Sequence, residues 1–176
     1  MAESVEVERK LEKLTQQIAE LLKAQGKKVV FAESCTGGKM AASLTAVPGV
    51  SEIFCGSAVT YRSSTKTQWL SIAASEIEDH TAESEFTTVK MAESVLAKTT
   101  EAEVAIAITG HLGPGVDAEI DGRIFVVSAQ RKPESTNSAD AFAIVSASHQ
   151  LVTADRKQRQ AEAACFAFEV LLDSVR

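Results

Sequence analysis

Three polar turns hold the residues of this chain that could do chemistry. The first, residues 34–38, follows a short apolar run and precedes a helix-forming stretch, so it places hydroxyls and unhindered N–H groups at a helix N-terminus. Such a terminus favours a phosphate, a carboxylate or a developing oxyanion, because its unpaired amides carry partial positive charge. The second turn runs from Tyr61 to Lys66, and the third begins at Thr109 and is rich in glycine. Together these turns contain the parts needed for acyl transfer.

A serine hydroxyl and a lysine amine can act together as a nucleophile and its base. The hydroxyl is a weak nucleophile until a base removes its proton, and a lysine that loses solvent in a crevice can be that base once its pKa falls. Ser34 is therefore a candidate nucleophile, Lys66 a candidate base, and the amides near Gly37 candidate donors to an oxyanion or a phosphate. Each residue alone has a commoner structural role, such as helix capping for Ser34. The recurrence of polar residues after predicted strands favours the joint interpretation.

Two familiar motifs do not fit the first turn. A P-loop ends in Gly-Lys-Ser/Thr, but an alignment of Gly38 on that ending places Glu33 where the first glycine belongs. A Gly-x-Ser-x-Gly nucleophile elbow also fails, because neither residue two positions away from Ser34 is glycine. Anion binding and ordinary helix capping both stay open for this turn.

A sheet must position these turns. Apolar runs rich in β-branched residues predict strands at residues 29–33, 56–61 and 104–108, each ending at one of the three turns. Ligands collect beyond the carboxyl ends of parallel strands in such sheets. If the three strands are parallel and adjacent, the three turns share one crevice.

Other periodic patterns predict the remaining elements. Leucine and isoleucine at helical spacing predict an amphipathic opening helix, and helical patterns recur at residues 83–98 and 161–175. A strand at 123–129 and a second at 141–147 flank a polar turn at 133–137, which predicts a hairpin. Strands that alternate with helices indicate an α/β fold with helices on both faces of a mixed, mostly parallel sheet.

Composition argues against several other classes of protein. A chain of 176 residues can bury a core as a single domain over residues 1–176 without a metal or a disulfide. The net charge of −6 is spread along the sequence, so we expect no nucleic-acid partner. The three cysteines and three histidines lack the spacing of metal ligands. No segment has the length and apolar character of a membrane span, and we expect a cytoplasmic protein with no membrane partner, metal or cofactor.

A set of short motifs also lies in a fixed order along the chain. They are Glu33-Ser34-Cys35-Thr36-Gly37-Gly38, Leu44-Thr45-x-Val47-Pro48-Gly49-x-Ser51, Val59-Thr60-Tyr61 with Lys66 five residues on, Met91-Ala92, and Ala107-Ile108-Thr109-Gly110 with Gly113-Pro114-Gly115. This set resembles the C-terminal domain family of competence/damage-inducible protein A. The resemblance implies a three-layer α/β/α sandwich and nicotinamide-nucleotide amidohydrolase activity, which converts nicotinamide mononucleotide to nicotinic acid mononucleotide and ammonia in pyridine-nucleotide salvage. It implies no metal.

The resemblance also implies roles for individual residues. Ser34 would be the nucleophile and Lys66 its activating base, with Tyr61 and Thr109 as polar supports. The nucleotide substrate would be bound by residues of the turns and by two arginines, namely Glu33, Thr36, Gly37, Gly38, Gly110, Gly113, Arg123 and Arg156. We also expect a homodimer or a higher homo-oligomer.

One segment departs from the family pattern. Family members usually carry a longer loop that ends in Lys-Pro-x-Gly-Thr, whereas residues 116–123 are shorter and contain Asp117, Glu119 and Asp121. Acidic residues beside the cleft would repel a nucleotide phosphate, unless Arg123 points into the cleft and offsets them. We therefore predict weak or undetectable deamidation of nicotinamide mononucleotide. The alternative is a catalytically inactive paralogue that acts as a nucleotide-binding or regulatory protein.

Overall fold

The chain alternates helices and strands, as its periodic patterns predict. The computed structural model describes residues 2–132, 141–153 and 155–176. In chain order the elements are α1 (Ala2–Gln25), β1 (Val29–Glu33), α2 (Lys39–Thr45), β2 (Phe54–Val59), α3 (Ser63–Leu70), α4 (Ala74–His80), α5 (Glu85–Lys98), β3 (Val104–Gly110), β4 (Arg123–Arg131), β5 (Phe142–Gln150) and α6 (Arg156–Val175). The polar turn predicted at 133–137 lies outside the described residues.

Within the described residues, five strands form one sheet in the order β2-β1-β3-β4-β5. Strand β1 pairs in parallel with both β2 and β3, and β4 is antiparallel to both β3 and β5. All of these strands except β4 therefore point the same way, which confirms the mixed, mostly parallel sheet. The carboxyl ends of β2, β1 and β3 lie side by side, as a shared crevice requires.

Helices cover both faces of the sheet because the central strands are apolar on both sides. In β3, Val104, Ile106 and Ile108 face the layer that contains α1, α2 and α6. The alternate residues Ala105 and Ala107 face α5, which packs directly on β3. Their small side chains leave room for that helix, and the result is the predicted three-layer α/β/α sandwich.

Helix α1 buries the stripe that its spacing predicts, with one difference. Leu11, Leu14 and Ile18 are buried, and α1 packs on α6 and α2. The next buried position is Leu22, whereas the predicted Leu21 is half-buried. Leu22 lies four residues after Ile18, which is the spacing that keeps a side chain on one helix face.

The segment after β2 differs most from the prediction. A polar turn was expected there, but Ser63–Leu70 forms α3 and Ala74–His80 forms α4. Helix α3 buries only Lys66 and Leu70, so its sequence has no apolar periodicity that would predict a helix. Lys66 therefore projects from a helix, which fixes its direction more firmly than a turn would. Within the described residues no helix is long and apolar enough to cross a bilayer.

Candidate active site

Ser34 and Lys66 meet below the carboxyl edge of the sheet. Nζ of Lys66 donates a hydrogen bond of 3.0 Å to Oγ of Ser34 and another of 2.9 Å to the carbonyl oxygen of Thr60. Lys66 is fully buried, and Ser34 is 4% exposed. The sequence places these residues 32 positions apart, and the parallel pairing of β1 with β2 brings them together.

Burial decides the protonation behaviour of Lys66. Loss of solvent lowers the pKa of Lys66 below its ordinary value of 10.5, although the negative charge of Glu83 opposes the shift. The amine can therefore lose its proton more readily than a surface lysine. A neutral amine beside a serine hydroxyl can accept the hydroxyl proton, which is the first requirement for serine nucleophilic catalysis.

The turn that carries Ser34 is held by the buried carboxylate of Glu33. This carboxylate accepts hydrogen bonds from the hydroxyl of Thr36 at 2.8 Å and that of Ser57 at 3.0 Å. It also accepts from the backbone N–H groups that begin α2, those of Gly38, Met40 and Ala41. Glu33 thus takes the place that an anion would occupy at this helix N-terminus.

The groups of the first turn that were predicted to contact a substrate are hydrogen-bonded within the turn. The polar groups of Glu33 and Thr36 bond to each other, the amide of Gly38 donates to Glu33, and the amide of Gly37 donates to the carbonyl of Ser34. None of these four residues lines the cleft described below. Gly37 and Gly38 instead adopt positive φ angles of 62° and 96°, which let the chain turn sharply from β1 into α2.

A cleft of about 380 Å³ opens above Ser34. Its walls come from all three predicted turns, which confirms that they share one crevice. The lining residues are Ser34, Cys35, Tyr61, Glu83, Gly110, His111, Leu112, Gly113, Pro114, Val116 and Arg156. The predicted site residues Tyr61, Gly110, Gly113 and Arg156 are therefore at the cleft together with Ser34.

Arg156 and Tyr61 form the mouth of this cleft. Nη2 of Arg156 donates a hydrogen bond of 3.0 Å to the hydroxyl oxygen of Tyr61, and Nη1 donates to the carbonyl oxygen of Gly113. Arg156 is the first residue of α6, whose N-terminus is capped by the side chain of Asp155. Both Arg156 and Tyr61 are exposed, so a charged group entering from solvent meets the guanidinium first.

Two predicted site residues lie away from the cleft surface. Thr109 is buried at the end of β3, and its hydroxyl lies 2.8 Å from that of Thr88. The single hydroxyl proton of Thr88 goes to the carbonyl oxygen of Ser84, so Thr109 is the donor to Thr88. The guanidinium of Arg123 lies 5.4 Å from the ring centre of Phe125 and does not line the cleft. Neither position supports direct contact with a substrate held in this cleft.

Two ionisable residues at the cleft were missed as candidates. Glu83 directly precedes Ser84, whose side chain caps α5, and His111 lies in the glycine-rich turn. A glutamate before a helix start is common, so nothing in its local sequence marked Glu83. The position of His111 in the third turn was a usable signal, because that turn was already predicted to border the crevice.

Cys35 also lines the cleft next to the nucleophile candidate, and its side chain is buried. Burial raises the pKa of Cys35 to about 12, so the thiol stays protonated near neutral pH. A protonated thiol is a poor nucleophile. Ser34, which has a base within hydrogen-bond distance, is the better candidate of the two.

The acidic loop does not place its charges where the sequence suggested. The carboxylate of Asp121 accepts two hydrogen bonds from Arg159, at 2.7 and 3.0 Å, and this ion pair lowers the pKa of Asp121. Asp117 and Glu119 are exposed and do not line the cleft. Gly113 makes the close loop approach possible, since a Cβ atom there would lie 2.6 Å from Oδ1 of Asp121. The expected repulsion of a phosphate therefore loses most of its structural basis.

The fold and the site define a three-layer α/β domain with a buried serine–lysine pair at the carboxyl edge of a mixed sheet. The chain belongs to the CinA C-terminal domain family, which it matches over residues 11–175. A competence-damage inducible protein of Streptococcus pneumoniae strain JJA is 40% identical over 116 residues, which are 65% of this chain and 28% of that protein. A CinA-like protein of Petrotoga mobilis is 33% identical over 163 residues, which are 89% of this chain and 36% of that protein. The chain thus spans well under half the length of either relative.

Solved structures of similar proteins share the whole architecture. Competence damage-inducible protein A from Klebsiella pneumoniae superposes with a TM-score of 0.82 at 26% identity, over 93% of this chain and 95% of that one. A CinA superfamily protein from Escherichia coli gives a TM-score of 0.81 at 28% identity, over 93% and 90%. These similarities extend over helices and strands on both sides of the cleft.

Proposed function

We propose that this chain is an amidohydrolase that converts nicotinamide mononucleotide to nicotinic acid mononucleotide and ammonia. The observation that carries the proposal is the 3.0 Å hydrogen bond between Lys66 and Ser34 at the floor of a polar cleft. Membership of the CinA C-terminal domain family supports it, because the sequence resemblance implies the same reaction. The fully buried lysine supports it as well, because burial favours the neutral amine that the chemistry needs.

In the proposed reaction Ser34 is the nucleophile. Its Oγ attacks the carboxamide carbon while its proton passes to the neutral amine of Lys66. Lys66 then returns a proton to the amide nitrogen, the C–N bond breaks, and ammonia leaves an ester on Ser34. A water molecule gives a proton to Lys66 and attacks the ester carbon. The bond from that carbon to Oγ of Ser34 then breaks, Lys66 returns the proton to Oγ, and nicotinic acid mononucleotide leaves.

Electrostatics in the cleft assist both binding and the transition state. Lys66 becomes positive as it takes the proton, so it stabilises the oxyanion that develops beside Ser34. The amides that begin α2 are engaged by Glu33 and are not available for this role. Arg156 at the mouth is suited to the substrate phosphate, since its guanidinium can present two donors to phosphate oxygens.

Nucleotide binding without catalysis is the second candidate. One observation favours it: Glu83 raises the pKa of Lys66 and so opposes formation of the neutral base. A lysine that stays protonated beside Ser34 would leave a cleft that binds a nucleotide without hydrolysing it. The acidic loop gives this alternative little further support, because Asp121 is paired with Arg159.

Ammonia release from nicotinamide mononucleotide by the purified protein tests the proposal. Nicotinamide riboside and glutamine serve as comparison substrates, which lack the phosphate or the ring. We expect turnover of the nucleotide to fall by about three or more powers of ten in Ser34→Ala and in Lys66→Met. Ser64→Ala, at an exposed serine of α3, is the matched control and should retain wild-type turnover.

Three outcomes separate the alternatives. Retention of most activity in Ser34→Ala would remove Ser34 as the nucleophile and leave water as the attacking group. Tight binding of the nucleotide with no ammonia from the wild-type protein would favour the second candidate. Equal turnover of glutamine would show that the cleft does not select a nucleotide.

A further inference from the structure

A half-buried carboxylate stands in the cleft beside the proposed catalytic pair. Glu83 lines the cleft together with Ser34, and it lies near enough to Lys66 to act on its charge. The proposed reaction gives this carboxylate no role. A carboxylate removed from part of its solvent is costly without a positive partner, so its presence at the reaction centre needs a reason.

The charges of the cleft have a definite layout. Glu83 lines the cleft together with Ser34, and its negative charge acts on the buried Lys66, which is hydrogen-bonded to Ser34. The positive charge of Arg156 lies at the exposed mouth, where it contacts Tyr61. A ligand that matches this layout carries a positive group next to the reacting carbon and a negative group several ångströms away.

We propose that Glu83 selects a carboxamide substrate whose ring carries a positive charge, an inference that rests on the proposed function. In a pyridinium nucleotide the carboxamide is attached directly to the cationic ring, and the phosphate lies across the ribose. With the carboxamide at Ser34, the ring lies in the inner part of the cleft with Glu83, and the phosphate reaches toward Arg156. A neutral ring of the same shape gains nothing from the carboxylate.

The protonation state that Lys66 needs for the reaction strengthens the preference for a cationic ring. Lys66 can counter the charge of Glu83 only while it is protonated, and it must be neutral to accept the proton of Ser34. When Lys66 is neutral it no longer counters the charge of Glu83, and a cationic substrate can supply a counter-charge in its place. The cationic ring therefore offsets the cost of the active protonation state.

Binding to a protein that cannot turn over the substrate tests this inference. In a Ser34→Ala background, calorimetry would compare nicotinamide mononucleotide with its reduced form, in which the dihydropyridine ring is uncharged. We expect the cationic form to bind about tenfold more tightly, as a charge pair in a partly solvated cleft allows. Adding Glu83→Gln should bring that ratio close to one, whereas Glu83→Asp, which keeps the charge, should retain part of it.

Glu85→Gln is the matched control, because Glu85 is exposed and does not line the cleft. It should leave the ratio unchanged, and thermal unfolding should show that each variant is folded. If Glu83→Gln leaves the ratio of the two affinities unchanged, the inference is wrong. The proposed function would still stand if the wild-type protein releases ammonia from the nucleotide. Failure of both ring forms to bind, together with no ammonia from the wild-type protein, would overturn the inference and the proposed function alike.

Discussion

At the scale of single residues, Lys66 is the group on which the proposed chemistry depends most. It is buried, it contacts Ser34 and Thr60, and Glu83 and Cys35 are the charged or titratable groups that act on it. Burial lowers its pKa, whereas a negative charge at Glu83 raises it. Its protonation is thus a balance between solvent loss and one nearby carboxylate.

This balance predicts the pH dependence of the reaction. The base must be neutral, so kcat/KM should rise with pH through the pKa of Lys66, at a midpoint below 10.5. Removing the carboxylate in Glu83→Gln removes an effect that raises this pKa, so the midpoint should move to lower pH. Rates of ammonia release across a pH series would measure it, with Glu85→Gln as the variant that should not shift. A midpoint that moves upward in Glu83→Gln would contradict the assignment.

The same residues show what could be predicted from the sequence alone. Ser34, Tyr61 and Lys66 were found because their types suit acyl transfer and each follows a predicted strand. The internal role of Glu33 could not be predicted, because a glutamate at a strand end does not reveal which amides it will reach. Thr109 was predicted at the cleft, yet its hydroxyl turns into the protein toward Thr88, a direction that only the packing of α5 determines.

At the scale of elements, the turn between β1 and α2 depends on the carboxylate of Glu33. Its two oxygens accept from two hydroxyls and three backbone amides and are fully buried. Helix α2 has only seven residues, so the loss of these hydrogen bonds to its first amides would destabilise it. The turn positions Ser34, and therefore its geometry matters to function as well as stability.

Glu33→Gln should destabilise the protein strongly, although glutamine has nearly the same shape as glutamate. The amide NH₂ of glutamine donates and cannot accept, so donors that one carboxylate oxygen satisfied are left buried without a partner. We expect the free energy of unfolding to fall by about 2–4 kcal/mol. Urea denaturation would measure it, with Glu20→Gln on the exposed side of α1 as the control. A loss below the measurement error would mean that the turn does not need this carboxylate.

Elements with strong periodicity were predicted and the polar ones were not. Strands β1 and β3 have continuous apolar runs that only a sheet covered on both faces can bury. Helix α3 has a polar sequence, and it forms because tertiary contacts bury Lys66 and Leu70 beneath it. Such contacts are absent from a local sequence window, so the helix that carries the candidate base was predicted as a turn.

At the scale of the whole molecule, the net charge of −6 does not translate into repulsion at the cleft. Asp117 and Glu119 face solvent and Asp121 is paired with Arg159. Exposed charges act weakly at physiological salt, where screening largely removes interactions over more than about 8 Å. We therefore expect the positions of the charged residues near the cleft, and not the net charge of the chain, to decide whether an anionic ligand binds.

The variant Asp117→Asn/Glu119→Gln tests this view directly. We expect the KM for nicotinamide mononucleotide to change by less than about threefold at physiological salt, with a somewhat larger change at low salt. Arg156→Gln, which removes the cation at the mouth, should raise KM by about tenfold or more. Steady-state kinetics at two salt concentrations would compare them. A tenfold lower KM in the loop variant would show that the loop charges do reach the phosphate.

The carboxylate of Glu83 would also act after hydrolysis. The proposed reaction turns a neutral carboxamide into a carboxylate at Ser34, in the cleft that Glu83 also lines, so the product meets like charge where the substrate did not. Product should then leave readily, and accumulated nicotinic acid mononucleotide should inhibit only at concentrations about tenfold above the KM of the substrate. Glu83→Gln should make that inhibition stronger. One side chain would in this way favour both the entry of the cationic amide and the departure of the acid, which would limit product inhibition when the acid accumulates.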